Sequence, residues 1–263
     1  MHFNVISYYQ FLLSFIDAQN TTVEGVTISN SAYHSIIMGG GYKPENKPTL
    51  TKWVKIFTWR GNGDGINPMG NGLIEDCFIR TQDDSSYVGG RGTKRTVFWQ
   101  DSNGSSFVLS RIGNEKMNSH AVVVENCTVV YSRAHANRWS GGALFNMRGE
   151  GEGSGGFNVT FRNIVVEDPR PTLQHFKILM EGHEPWGNPE DKRRGPGDLY
   201  GMRFENIRIS AGSVLGEPEI LWGMSDGLIY DLVMENVTIG NITINNVDQF
   251  LHNEYVFGIG GKH

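Results

Sequence analysis

Asp64 stands in the stretch Trp59-Arg60-Gly61-Asn62-Gly63-Asp64-Gly65-Ile66-Asn67-Pro68, and 19 residues after it comes the adjacent pair of Thr81-Gln82-Asp83-Asp84. Short acids set among glycines and amides, with apolar runs on either side, are the residue types of a carboxylate cluster. Carboxylates that share one patch repel, and the repulsion raises the pKa of at least one, so a protonated acid persists beside ionised bases. Hydrolysis of a glycosidic bond needs that pairing: an acid to protonate the leaving oxygen and a base to activate water, about 6.5–9.5 Å apart when configuration is inverted. Two other readings compete. The acids serve as Asx turns closing on their own backbone, or they hold calcium in a lyase whose base is Lys or Arg.

Clustering requires an architecture that brings position 64 beside 83 and 84. A repeated phrase supplies one: Glu24-Gly25-Val26-Thr27-Ile28, Glu75-Asp76-Cys77-Phe78-Ile79, Glu125-Asn126-Cys127-Thr128-Val129, Arg162-Asn163-Ile164-Val165-Val166, Glu205-Asn206-Ile207-Arg208-Ile209 and Glu235-Asn236-Val237-Thr238-Ile239. Each is a polar residue, then Gly, Asp or Asn, then alternating apolar positions. Alternation is the strand period, and Gly, Asn and Asp tolerate the left-handed backbone of a tight bend. The first two intervals between bends suit two laps each, with further strands at Trp53-Val54-Lys55-Ile56-Phe57 and Thr96-Val97-Phe98-Trp99. The chain is therefore expected to be all-β, a parallel β-helix in which residues one lap apart stack about 4.8 Å from each other. Asp64 then lies one rung from Asp83 and Asp84. No composition shift marks a boundary, so residues 1–263 read as a single domain. Cys77 and Cys127 are expected two rungs apart as buried thiols, too far for a disulfide.

Composition narrows the function classes. The 34 glycines imply many turns, and the formal charge of −5 lacks the basic excess of a nucleic-acid surface. No Cys or His spacing suggests a metal site, and no apolar run is long enough to span a membrane. The apolar opening Met1–Phe15 has no basic n-region or cleavage site and reads as strand, and a chain that starts directly in strand-like sequence is open to being a fragment of something longer. Trp59, Tyr87 and Trp99 are candidates to stack on sugar rings, and Asn62, Asn67 and Gln82 to bond sugar hydroxyls. His135, His175 and His183 read as structural. Loops at Gly149–Gly156 and Glu181–Gly197, the second with Trp186, read either as walls of a groove or as plain surface excursions.

Trp59 through Pro68 with Asp83-Asp84, the Trp99 strand and the tail Asp248-Gln249-Phe250 to Gly258-Ile259-Gly260-Gly261 resemble glycoside hydrolase family 49, the dextranases and isopullulanase, across roughly residues 20–262. The polygalacturonases share the three-Asp pattern more distantly, but Arg111-Ile112-Gly113 only partly echoes their Arg-Ile-Lys motif. The resemblance implies a right-handed parallel β-helix, inverting hydrolysis of α-glucan linkages, no cofactor, a polysaccharide or oligosaccharide as partner, a monomer, and secretion or periplasmic export. It makes Asp83 the general acid, with Asp64 and Asp84 holding the attacking water. The chain departs from the family at Asn62-Gly63, where Gln-Thr is usual, and at Tyr87, where a Lys is usual. It also lacks the N-terminal β-sandwich, which fits a truncated or minimal member. The alternatives are a pectic hydrolase of the polygalacturonase type and a non-catalytic β-helix of an adhesin or carbohydrate-binding protein.

Overall fold

The computed structural model describes residues 12–16, 20–39, 45, 47–102, 104–109, 121–133, 142–149, 158–170, 174–180, 198–210, 218–223 and 227–259. They form a parallel β-helix. Each lap crosses three faces. The first face is an eight-stranded sheet with one strand per lap: Leu13–Ile16, Ile36–Gly39, Ile66–Pro68, Ser86–Tyr87, Phe107–Leu109, Phe145–Gly149, Phe176–Met180 and Ile220–Trp222. The second and third faces are the two halves of the other sheet, folded about a bend. Lap by lap, Thr22–Glu24, Thr49–Lys52, Gly72–Glu75 and Gly92–Lys94 precede the bend, while Thr27–Ser29, Lys55–Phe57, Phe78–Thr81 and Val97–Gln100 follow it. Later laps run through the bend as Val122–Ser132, Val159–Val166, Met202–Ile209 and Ile229–Ile239, all paired in parallel. Ile242–Ile244 then turns back antiparallel, and Val256–Ile259 adds a last parallel strand.

The bend is one left-handed residue per lap: Gly25, Trp53, Asp76, Arg95, Asn126, Asn163, Asn206 and Asn236, with φ between 49° and 69°. All six positions expected from the repeated phrase are among them. From Asn126 onward the side chains form an outer ladder, with amide hydrogen bonds of 3.1 Å (Asn163 to Asn126), 3.1 Å (Asn206 to Asn163) and 2.9 Å (Asn236 to Asn206).

Inside, strand alternation stacks like on like. Phe107, Phe145 and Phe176 follow one another on the first face at 5.3 and 5.1 Å between ring centroids, and Phe161 faces Phe204 at 5.0 Å on the second. Such pairs contribute about 0.5–1.5 kcal/mol each beyond the area they bury. Cys77 and Cys127 are buried free thiols, and the register puts Thr96 on the rung between them. Burial pushes both thiols up, to about 11 and about 12. The expected loops over residues 150–156 and 181–197, with His135, His183, Arg111-Ile112-Gly113 and residues 260–263, lie outside the described residues.

Candidate functional site

The turn from the third face back to the first carries the acids. In the first-face ladder Ile36 pairs with Ile66, and Ile66 with Ser86. The ladder continues into the turn: Ser35 N–H bonds Asp64 O at 3.0 Å, Gly65 N–H bonds Asp84 O at 2.8 Å, and Ser85 N–H bonds Ser105 O at 2.8 Å. His34, Asp64, Asp84 and Ser105 therefore occupy one column, each two residues before its lap's first-face strand. The expected one-rung stacking of Asp64 on the acid pair is what the fold provides, and Asp83 stands one residue outside the column.

Close backbone approach makes this possible. A Cβ on Gly65 would come within 2.1 Å of Ser85 O and 2.8 Å of Ile79 Cγ2. On Gly104, at φ +68°, it would meet Asp84 N at 2.4 Å and Asp83 Oδ1 at 2.6 Å. Only glycine lets the neighbouring laps close on the acids at these points.

Each carboxylate has its own environment. Asp64 is 3% exposed. Its Oδ2 accepts the Tyr87 hydroxyl at 2.7 Å and lies 3.3 Å from His34 Nε2. Asp83 accepts two backbone donors, Asn62 N–H at 3.0 Å on Oδ2 and Asp84 N–H at 3.0 Å on Oδ1. Asp84 Oδ1 accepts Ser105 N–H at 2.7 Å.

Burial, reinforced by the charges of Asp84 and Asp83, holds the Asp64 carboxyl well above the usual range, and the Tyr87 hydrogen bond only partly opposes this. Burial raises Asp83 as well, against its two backbone donors. The corner thus retains a proton at pH values where isolated carboxylates have lost theirs. Tyr87, buried beside three acids, is pushed above the ordinary phenol range and is a permanent donor. Burial lowers His34 to about 4, so its ring is neutral over most of the pH scale.

Tyr87 stacks on His34 at 5.8 Å between centroids, and His34 on Tyr33 at 4.1 Å, which fixes the rings that hold Asp64. The sequence reading does not single out His34. The signal that points to it is its position, two residues before Ile36 as Asp64 is two before Ile66. Among the described residues no group of three or more His, Cys, Asp or Glu is arranged to hold a metal ion.

The expected sugar-contacting residues separate into two groups. Asn62 lies at the acid corner, its backbone amide on Asp83 and its side chain exposed. Asn67 follows Ile66 and Tyr87 follows Ser86, so the two share the outward position of successive first-face strands. Trp59 and Trp99 are instead on the adjoining third face. Trp99 is in strand Val97–Gln100, and Trp59 lies just past strand Lys55–Phe57. His175 is buried, with Nδ1 2.6 Å from Glu219 Oε1.

No family model matches the chain, and no solved structure matches it. It is similar to the dextranase of Arthrobacter sp. (strain CB-8) and to the dextranase of Arthrobacter globiformis, 23% identical over 199 residues in both cases. The similarity covers 73% of this chain but 29% of each relative, so the chain spans under a third of the length of the curated relatives it matches. The kinship with dextranases is distant and partial.

Proposed function

We propose that this chain is a polysaccharide hydrolase of the glycoside hydrolase family 49 type, cleaving O-glycosidic bonds of an α-glucan such as dextran with inversion of configuration. The observation that carries the reading is the acid corner. A buried Asp64 is fixed by Tyr87 and His34, Asp84 lies one rung away and Asp83 is adjacent, with burial raising both Asp64 and Asp83 so that the cluster keeps a proton, while the Tyr87 hydroxyl favours the ionised form of Asp64. The dextranase similarity supports the substrate class.

In the proposed reaction Asp83, the more exposed of the two acids whose pKa is raised, donates its proton to the glycosidic oxygen as the bond to the anomeric carbon breaks. Water held between Asp64 and Asp84 attacks that carbon from the opposite side, and one of the two carboxylates accepts the proton it loses. The products are a new reducing end of inverted configuration and a shortened chain. The reaction uses no cofactor, and the enzyme acts as a secreted or periplasmic monomer.

The test is release of reducing ends from dextran, pullulan and polygalacturonate, with Asp83→Asn as the control. Turnover of an α-glucan that Asp83→Asn lowers by about 10²–10⁴-fold supports the reading, as does an inverted product in proton NMR. An activated aryl or fluoride glycoside should restore much of the rate to Asp83→Asn and little to Asp64→Asn or Asp84→Asn, because a good leaving group needs little protonation. Recovery confined to Asp64→Asn would move the proton donor to Asp64. Binding without turnover on any polymer would mean a carbohydrate-binding solenoid. Ultraviolet-absorbing unsaturated products lost on chelation would mean a lyase.

A further inference from the structure

The third face carries a surface that the acid corner does not use. Trp59 is 52% and Trp99 is 38% exposed, large apolar areas to leave in water. They belong to a run of rings and guanidinium groups across four laps. Phe57 stacks on Trp59 at 6.1 Å, Arg80 lies over Trp59 at 4.8 Å, Trp99 meets Tyr131 at 5.0 Å and Arg133 lies over Tyr131 at 3.9 Å. The register joins them, with Phe57 beside Arg80, Arg80 beside Trp99, and Trp99 beside Tyr131.

Two comparisons within the molecule argue that this run has a ligand. First, solenoid stability does not require it. Past Tyr131, the residues that follow the same third-face strands are Glu167, Ser210 and Gly240, none aromatic. Among the described residues the run is confined to the two laps that carry the acids and the lap on either side of them. Second, the indoles are held in place before anything binds: Trp99 Nε1 donates to Asp101 Oδ1 at 2.7 Å, and Trp59 contacts both the Phe57 ring and the Arg80 guanidinium. Rigid aromatic platforms lose little entropy on binding.

Charge selects the ligand. Arg80 is paired with Asp101, and Arg133 with Asp168 at 2.6 Å. The strip therefore offers no net positive charge to a polyanion, while its ring surfaces and satisfied polar edges suit the CH faces and hydroxyls of neutral sugars. It also adjoins the acid corner, since Trp59 opens the turn in which Asn62 bonds Asp83 and Asp64 follows.

We propose that the Trp59–Arg80–Trp99–Tyr131 strip is an accessory binding surface for a neutral polysaccharide, holding the polymer beside the acid corner over about 14 Å, three rungs of the solenoid. This rests on the polysaccharide reading above and assigns the strip to capture of polymer.

The experiment uses the full chain carrying Asp83→Asn, so that substrate is not consumed, and measures its depletion by cross-linked dextran beads, with cross-linked polygalacturonate as the polyanion. Adding Trp59→Ala and Trp99→Ala together should weaken retention on dextran about ten-fold. Phe257→Ala, an exposed ring at the far end, should leave retention unchanged. Trp99→Phe keeps a ring and should retain far better than Trp99→Ala, which separates ring loss from misfolding. Undiminished retention of the double variant, preference for the polyanion, or no retention of the parent would each overturn the proposal. Turnover of dextran by the unsubstituted chain is scored separately. Retention that depends on the tryptophans without turnover upholds the strip and refutes the hydrolase reading, whereas turnover with tryptophan-independent retention does the reverse.

Discussion

Replacing Tyr87 by Phe tests the electrostatics of the corner with the loss of one oxygen atom. The ring, and its stack on His34, would remain, while the 2.7 Å hydrogen bond to Asp64 Oδ2 would go. A hydrogen bond to a charged group contributes about 1.5–3 kcal/mol, and about 1.4 kcal/mol corresponds to one pH unit. The Tyr87 hydroxyl favours ionised Asp64 against burial and the repulsion of Asp84 and Asp83. Its loss therefore raises the Asp64 carboxyl further. If Asp64 must be ionised to hold the attacking water, the acid limb of kcat/KM moves to higher pH by about one to two units. The assay is reducing-end release from dextran across a pH series for the wild type and Tyr87→Phe. An acid limb that stays in place or moves down refutes the reasoning. A uniform loss at all pH values would mean that Tyr87 acts on the sugar and not on Asp64.

The remaining predictions need no substrate. Because the folded-state pKa of Asp64 is raised, its contribution to stability is fully present below its unfolded value of about 3.9 and is lost as pH rises through the folded value. Asp64→Asn should therefore melt above wild type at pH 7 in scanning calorimetry, with the difference shrinking toward pH 4; a lower melting temperature at pH 7 would contradict this. Gly104→Ala places a methyl in left-handed backbone and against Asp84 N, and should cost about 2–4 kcal/mol in urea unfolding. Wild-type stability would show that the laps are not closed on the acids as described. Asn163→Ala removes the amide between Asn126 and Asn206 and strains φ 55°, for about 1–3 kcal/mol, and Asn163→Gly should recover part of that.

The solenoid was legible because its bends announce themselves where Gly, Asp or Asn occupies the left-handed position. Trp53 and Arg95 occupy the same position without any such signal. Their conformation is imposed by the laps on either side, and Arg95 is further held by Asp76, with contacts of 2.7 Å at Nε and 2.9 Å at Nη2. The juxtaposition of Asp64 with the Asp83–Asp84 pair followed from a spacing of about one lap together with the repeated bends, and the rung neighbour is Asp84, 20 residues on. The role of His34 did not, since it lies 30 residues upstream and the first lap shows only its Gly25 bend in the sequence. Trp99 is close to the acids in sequence, yet the corner between faces separates it from them. Proximity along the chain is a poor guide where each lap turns through three directions.

The ladder that runs from the first face into the acid turn also acts as a ruler. Residues in that column can change their axial separation only in whole rungs, because a fractional shift would break every backbone hydrogen bond between the laps concerned. The distance between carboxyl groups sorts glycosidases into those that admit a water and those that do not. In a scaffold of this kind the axial step from Asp64 to the lap of Asp83 and Asp84 cannot drift by small substitutions in the core. It changes by a lap gained or lost, or by an acid moved to a neighbouring rung, so the outer turns can lengthen freely while the spacing of the laps beneath them stays fixed.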